Sequence, residues 1–300
     1  MMTDITIEPR TVPLGGLRGL QVDRTLPTKG LPTIGAWCFL DHFGPTFQSM
    51  DVLPHPHTGL QTVTWLLAGG VEHRDNLGSN VTIKPGQLNL MTAGNGVSHS
   101  EFSLDASGSM HGLQFWVALP ESRRHGEATF EHFADLPVLK QEGWEAAVFL
   151  GEFGGLQSPA VAYSPIVGVQ IVLNAGRHEI ELDPNFEHGL LAVDMSVDVN
   201  GERLAQRSLQ FIEVGAKSVV IDAPVRTTVV LIGGEPWDEP LVMWWNFVAR
   251  THSEIEEARS DWEAGAQRFG TVEGHDGKVI PAPPLPPVTL KPRVRRLPEG

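Results

Sequence analysis

His55 and His57 stand two apart in "LPHPHTGLQTVTWLL", and His99 and Glu101 stand two apart in "AGNGVSHSEFS". In an extended strand residues i and i+2 project from the same face, so each pair presents both side chains in one direction. Strand pairing that brings the two pairs together would assemble three imidazoles and one carboxylate. A nitrogen and oxygen set without thiolate suits Fe, Mn, Co, Ni, Cu or Zn and does not single one out. If the four ligands occupy part of an octahedron, two positions stay open for substrate, water or O2, which is a catalytic rather than a closed structural arrangement. One H-x-H pair alone is weak evidence, because a histidine at a strand start often only hydrogen-bonds a loop; the second pair at the same spacing is what points to a metal.

For the pairs to meet, the chain must return on itself within the 42 positions from His57 to His99 (99 − 57), enough for two or three strands with turns. Segments 62–67, 81–84, 88–91 and 112–118 are short, rich in Val, Ile, Leu, Trp and Phe, and bounded by Gly, Pro and Asn, as half-buried strands are. Gly69-Gly70, Pro85-Gly86 and Asn95-Gly96 supply turns, and Gly94 with Gly96 would permit a sharp bend into His99. The second half repeats the theme in "HGLLAVDMSVDVNGERL", "RSLQFIEVGAKSVVIDAP" and "RTTVVLIGG", with Asn200-Gly201 as a two-residue hairpin signal. "HTGLQTVTWLLAGG" lies naturally over "HGLLAVDMSVDVNG", a weak internal similarity that suggests duplication of one β domain. The reading is an all-β chain with an N-terminal domain over 1–135 carrying the metal ligands, a linker around 135–145, a C-terminal domain over 145–270 and a tail over 271–300.

One helix is predicted late, in "ARTHSEIEEARSDWEAGAQRF": Thr251 and Glu254 read as a capping box, Ile255, Ala258 and Trp262 share a face that packs across a sheet, and Gly265 is a fitting stop. The tail "GKVIPAPPLPPVTLKPRVRRLPEG" is Pro-rich and locally basic, with Lys278, Lys291, Arg293, Arg295 and Arg296. It suits either a ligand for another domain or a strap across the chain's own acidic body.

At 300 residues, with 41% hydrophobic and 19% charged residues, the chain can bury a substantial core, and its 32 Gly and 23 Pro agree with many tight turns. Asp plus Glu number 36 against 22 Lys plus Arg, and a net charge of −14 disfavours direct contact with phosphate backbones. Cys38 is the only cysteine, so no intrachain disulfide forms; in the apolar run "AWCFL" it reads as a buried side chain. No apolar run approaches the roughly 18 residues of a membrane span, and "MMTDITIEPR" lacks the pattern of a secretory signal, so the expected location is cytoplasmic, without membrane contact.

"PHPHTGLQTVTWLLAGG", "PGQLNLMTAGNGVSHSEF", "HGLQFWVALP" and "GGEPWDEPLVMWWNFVARTHSEIEEARSDW" resemble the pirin family of the cupin superfamily, in its bacterial branch, over most of residues 10 to 265. The resemblance implies a bicupin, two tandem β-barrels of double-stranded β-helix type, with one mononuclear non-haem iron, Fe(II), in the first. The family's ligands fall on His55, His57, His99 and Glu101. Where the general cupin motif has a Glu shortly after H-x-H this chain has Gln61, so Glu101 must supply the carboxylate. The second half has only the isolated His178 and His188, which predicts a metal-free second barrel.

Further candidates surround this set. His73, in "GGVEHRDNLG", is either a proton relay at the cavity mouth or an exposed turn histidine. Gln114 would bond substrate or the ligand carboxylate, or be a satisfied core amide, and cannot share a face with His111 at an odd offset. Asp41 and Phe43, in "FLDHFGP", are placed as a polar and an apolar pocket wall, or as a turn with a buried aromatic. Trp237, Trp244 and Trp245 are read as core and interface residues rather than a stacking platform. Two functions are expected. The first, which the resemblance implies, is a metal-dependent quercetin 2,3-dioxygenase that opens an aromatic, enolic flavonol with O2 and releases CO, Glu101 acting catalytically by accepting the 3-hydroxyl proton. The second is an iron-dependent redox-sensing regulator that binds a protein partner.

Overall fold

The structure, a computed structural model, describes residues 5–14, 20–104 and 109–296. Its first six strands are β1 (Ile5–Ile7), β2 (Arg10–Pro13), β3 (Gln21–Leu26), β4 (Trp37–Thr46), β5 (Asp51–His57) and β6 (Leu60–Ala68). They are followed by β7 (Val71–Asp75), β8 (Asn80–Ile83), β9 (Leu88–Thr92), β10 (Val97–Ser103), β11 (Met110–Ala118) and β12 (Thr129–Phe133). The second half opens with β13 (Val138–Gln141), β14 (Trp144–Phe153), β15 (Leu156–Gln157), β16 (Ile166–Leu173), β17 (Gly176–Glu181) and β18 (Glu187–Ala192). Then come β19 (Val197–Val199), β20 (Glu202–Leu204), β21 (Leu209–Ile212), β22 (Ser218–Ala223) and β23 (Thr227–Gly234). A short hairpin, β24 (Val242–Trp244) and β25 (Phe247–Ala249), leads into helix α1 (His252–Glu263).

The chain is an all-β bicupin. In the first barrel a seven-stranded sheet, β12-β9-β6-β11-β4-β3-β2, faces the four-stranded β5-β10-β7-β8. In the second, β1-β21-β18-β23-β16-β14-β13 faces β17-β22-β19-β20. The two orders superimpose strand for strand, as duplication of one domain requires. Two features depart from the expected division at 135–145. Strand β1 pairs with β21 (Ile5↔Phe211), so the N-terminal residues complete the second barrel, in the position that β12 fills in the first. Strand β13 lies inside the stretch expected as a linker and pairs with β14 (Val138↔Ala147). A connecting strand that also closes a sheet satisfies backbone groups that a free linker would leave to water.

The barrels share their largest core. Trp37, Trp65, Leu90 and Phe115 of the first large sheet pack with Phe149, Leu191, Phe211 and Ile232 of the second. Trp37 Nε1 donates to the carbonyls of Val167 and Gly233 at 3.2 and 3.1 Å, and Trp65 Nε1 donates to Gln170 Oε1 at 2.7 Å, so the buried indoles find partners across the interface. Helix α1 begins with the predicted reciprocal box: Glu254 N–H donates to Thr251 Oγ1 and Thr251 N–H to the Glu254 carboxylate. Its buried face of Ile255, Ala258 and Trp262 rests on the β24–β25 hairpin. The tail proves to be a strap on its own body. Ile280 N donates to Pro54 O and Arg293 N to Leu241 O, while Arg295 pairs with the buried carboxylate of Glu187; residues 297–300 lie outside the described set. Cys38 is buried, and burial pushes its thiol up to about 12. Among the described residues no helix is long and apolar enough to cross a membrane.

Candidate metal centre

Strand pairing does bring the two motifs together. β5 and β10 run antiparallel with His55 opposite His99 and His57 opposite Val97; beyond His55, β5 carries one extra residue, so Glu101 lies opposite Val52, while β10 keeps an unbroken register with β7 from His99 to Glu101 and the two side chains stay on one face. Four strands, β6 to β9, fill the interval, more than the two or three expected, because two belong to each sheet of the barrel. The bend before His99 uses Gly94 at φ +50°, where a Cβ would stand 2.2 Å from Gly126 O.

Donor atoms of His55, His57 and His99 lie within 4.8 Å of one another, and those of His73, His99 and Glu101 form a second such group, with His99 as the shared corner. Hydrogen bonds assign the ring tautomers. His55 Nδ1 donates to Leu53 O at 2.9 Å and His57 Nδ1 to Asn246 O at 3.1 Å, since a carbonyl only accepts. Both Nε2 lone pairs are thereby free, and the Nε2 atoms of His57 and His99 converge to 3.1 Å. Behind His99 runs a chain: His73 Nε2 donates to Asp75 Oδ2 at 3.0 Å, which leaves His73 Nδ1 as the acceptor for His99 Nδ1–H at 3.3 Å. Both nitrogens of His73 are thus engaged, so this ring orients His99 and keeps no free lone pair of its own.

Burial sets the charge state of the site. It pushes the His55 ring down to about 4 and holds His57 and His99 well below the usual imidazole range, so all three are neutral donors. Burial likewise raises Glu101, whose Oε1 lies 3.1 Å from Thr64 Oγ1. Burial also pushes Asp75 up, but hydrogen bonds from His73 and Ser79 outweigh it and hold the carboxyl below its ordinary value. Three neutral imidazoles and a carboxyl that a nearby cation would ionise form a donor set suited to a divalent transition metal, and the fit rests on this chemistry.

These four residues line a cavity of about 410 Å³. Along one wall Arg24 stacks on Phe39 (4.3 Å to the ring centre), and Phe39 stacks on Trp116 at 4.0 Å and 12°. Asp41 lines the cavity and takes a bidentate pair from Arg24 at 2.7 Å on both oxygens, burial still pushing its carboxyl up against that cation. Gln114 also lines it and reaches Glu101 only through Thr64, whose Oγ1 lies 3.0 Å from Gln114 Oε1; one hydroxyl proton serves one of the two acceptors at a time. His111 turns to the other face and meets His42, Nε2 to Nε2, at 2.7 Å.

Three expectations need correction. Phe43 does not wall the cavity; it packs in the first barrel's core with Leu66, Val52 and Met110, its ring lying over Gly112. His73 is at neither the mouth nor an exposed turn: it is a β7 residue, 2% exposed, opposite Glu101 and behind His99. Trp244 and Trp245 are half-buried and line the cavity, because the β24–β25 hairpin of the second half lies over the first barrel's mouth; Trp237 packs in the core as expected. Asp75, Thr64 and Asn246 were not anticipated. His73 and Asp75 have the same i, i+2 spacing as the ligand pairs, so that signal was present for Asp75; Asn246 lies 189 positions from His57 and has none.

A model of the pirin family matches residues 19–117, and a model of the pirin C-terminal cupin domain matches residues 168–270. A candidate quercetin 2,3-dioxygenase of Pseudomonas aeruginosa is 39% identical over 285 residues, covering 93% of this chain and 90% of the relative. A pirin-like protein of Caulobacter vibrioides is 37% identical over 94% of this chain and its own whole length (100%). The crystal structure of quercetin 2,3-dioxygenase from Acinetobacter baumannii superimposes with a TM-score of 0.90 at 40% identity, over 95% of this chain and 96% of that one.

Proposed function

This chain belongs to the pirin family of cupin proteins, and we propose from that premise and the site's geometry that it is a mononuclear metal-dependent dioxygenase of quercetin 2,3-dioxygenase type. The substrate is an aromatic enol of flavonol class, whose ring is cleaved with uptake of O2 and release of CO. The observation that carries the reading is the group of three buried imidazoles, His55, His57 and His99, with the Glu101 carboxyl grouped against His99, in a cavity walled by Phe39, Trp116, Trp244 and Trp245. His55, His57, His99 and Glu101 would hold the metal, Fe(II) by family resemblance, although the donor set admits its first-row neighbours. When bound, the metal supplies Lewis acidity that makes the substrate's enolic hydroxyl easier to deprotonate.

The chain's own residues perform the rest. Glu101, made more basic by burial, takes the hydroxyl proton on its carboxylate, and Thr64 Oγ1 steadies Oε1 while that charge changes. The stacked Phe39 and Trp116, facing Trp244 and Trp245, hold a flat ring system and exclude water from it. The Arg24–Asp41 pair offers a fixed polar contact for substrate hydroxyls at the wall. A reducing, cytoplasmic location is part of the same reading, supported by the single buried thiol.

The test is elemental analysis of protein purified without added metal, followed by O2 uptake with quercetin in the same sample. Near-stoichiometric transition metal with uptake that disappears in His57→Ala and drops at least about a hundredfold in Glu101→Gln supports the reading. Full uptake by verified metal-free protein overturns the metal's role. Stoichiometric metal without uptake overturns the dioxygenase and leaves the regulatory alternative.

A further inference from the structure

The second barrel contains a cavity of about 980 Å³, larger than the metal pocket of the first. Its walls come from β13, β14, β16, β17, β18 and β23, which hold the sheet positions of β2, β3, β4, β5, β6 and β11 in the first barrel. It is therefore the structural counterpart of the metal pocket with a different lining. Metal is a poor occupant: His188 is the only histidine in the lining, and among the described residues the clusters with metal-ligand geometry all lie in the first barrel.

The lining is chemically one-sided. Glu142, Glu152, Glu179, Glu181 and Asp183 face it, no Lys or Arg does, and none of the five forms an ion pair among the described residues. Two are engaged by neutral donors, Glu179 Oε1 by Ser218 Oγ and Asp183 Oδ1 by the Asn185 amide. Apolar surface is supplied by Trp144 and Phe153, packed edge to face at 6.4 Å, and by Phe186. On the floor stands His188. It alternates along β18 with Leu190 and Ala192 of the barrel core, so its ring points inward; it is 1% exposed, and its Nδ1 has no hydrogen-bond partner. A buried polar atom without a partner carries a desolvation cost that a ligand group can relieve.

The geometry points to a second ligand site in this cavity, for an organic cation: an amine carried on a flat aromatic body that ends in a hydrogen-bonding group. The amine meets the acidic rim, the aromatic body lies against Trp144, Phe153 and Phe186, and the far end bonds His188. The volume is at the upper end of the roughly 300–1,000 Å³ usual for small-molecule sites. An anionic compound of the same shape is rejected by five acidic side chains with no compensating cation. The site is separate from the metal pocket, so a ligand here adds to whatever the first barrel binds.

Tryptamine and indole-3-propionate share the aromatic body and differ in the sign of the side-chain charge. Equilibrium dialysis of each against the metal-loaded full chain tests the site. Tryptamine retained, indole-3-propionate not, and tryptamine retention weakened about tenfold by the combined Glu142→Gln, Glu152→Gln and Glu181→Gln variant would support the site, the factor being what several rim charges supply together. A control carrying Glu8→Gln, Glu127→Gln and Glu273→Gln has the same change in net charge on distant exposed residues and should retain tryptamine as the unaltered chain does. His188→Leu, which removes the floor contact and leaves the rim, should also weaken retention. No retention of tryptamine, equal retention of both probes, or equal loss in the rim and control variants overturns the site. The exposed rim positions keep these outcomes clear of folding defects.

Discussion

Asp75→Asn is the sharpest test of the chain behind His99, because it changes one atom's hydrogen-bonding sense and nothing in shape. Asp75 Oδ1 accepts the amides of Leu77 and Ser79, each at 2.9 Å, and Oδ2 accepts His73 Nε2–H at 3.0 Å. With an amide nitrogen in place of Oδ2, two N–H groups face each other. If His73 shifts its proton to Nδ1, that proton confronts His99 Nδ1–H across 3.3 Å. If His99 shifts in turn, its proton moves to Nε2 and caps the lone pair meant for the metal. If the new amide flips, it faces the two turn amides instead. Every arrangement that keeps the His99 Nε2 lone pair free for a metal leaves one buried donor unmatched, at about 1–3 kcal/mol. Charged to the metal-bound state, that is a loss of about ten- to a hundredfold in metal affinity, the range seen when outer partners of ligand histidines are removed. A chelator-competition titration on the folded variant measures it, with thermal melts of the metal-free protein confirming the fold. Affinity within about twofold of the unaltered chain would refute the tautomer reasoning.

Three further outcomes are expected. His188 is held near 4 by burial against 6.5 when free, so between those values the unfolded state binds the extra proton and stability falls as pH drops through 6.5 toward 4. Its share between pH 7 and pH 5 is about 2 kcal/mol, and urea titrations in which His188→Gln shows the same pH slope as the unaltered chain would remove that assignment. Arg295→Ala strips the tail's cation from Glu187, whose carboxylate is 1% exposed and also accepts the Gly35 amide at 2.6 Å. A loss of about 2–3 kcal/mol, discounted because Arg295 is partly solvated, should appear in chemical denaturation and be largely restored by adding Glu187→Gln; an unchanged midpoint means the strap does not hold the body. Gly112→Ala would put a methyl 2.6 Å from the Phe43 ring and 2.9 Å from Leu66, so about 1–3 kcal/mol of overpacking should lower the melting temperature, and an unchanged melt would show that Phe43 can move aside.

What the sequence by itself determined is what short-range geometry governs. Side chains two apart on a strand share a face whatever lies around them, and this put His55 with His57 and His99 with Glu101 before any fold was known. The Thr251–Glu254 box and the Asn200-Gly201 turn, with φ of 52° and 88°, are equally local, and both occur as read. The shared strand order of the barrels likewise agrees with the faint repeat. What only the tertiary structure decided depends on which distant surfaces meet. His73 is buried because β7 pairs with β10, Phe43 is core because Gly112 makes room for its ring, and Trp244, Trp245 and Asn246 reach the first barrel's cavity because a hairpin from the second half lies over that barrel. No periodicity encodes such contacts; they follow from burying the apolar faces of two barrels and a hairpin together, which no single segment specifies alone.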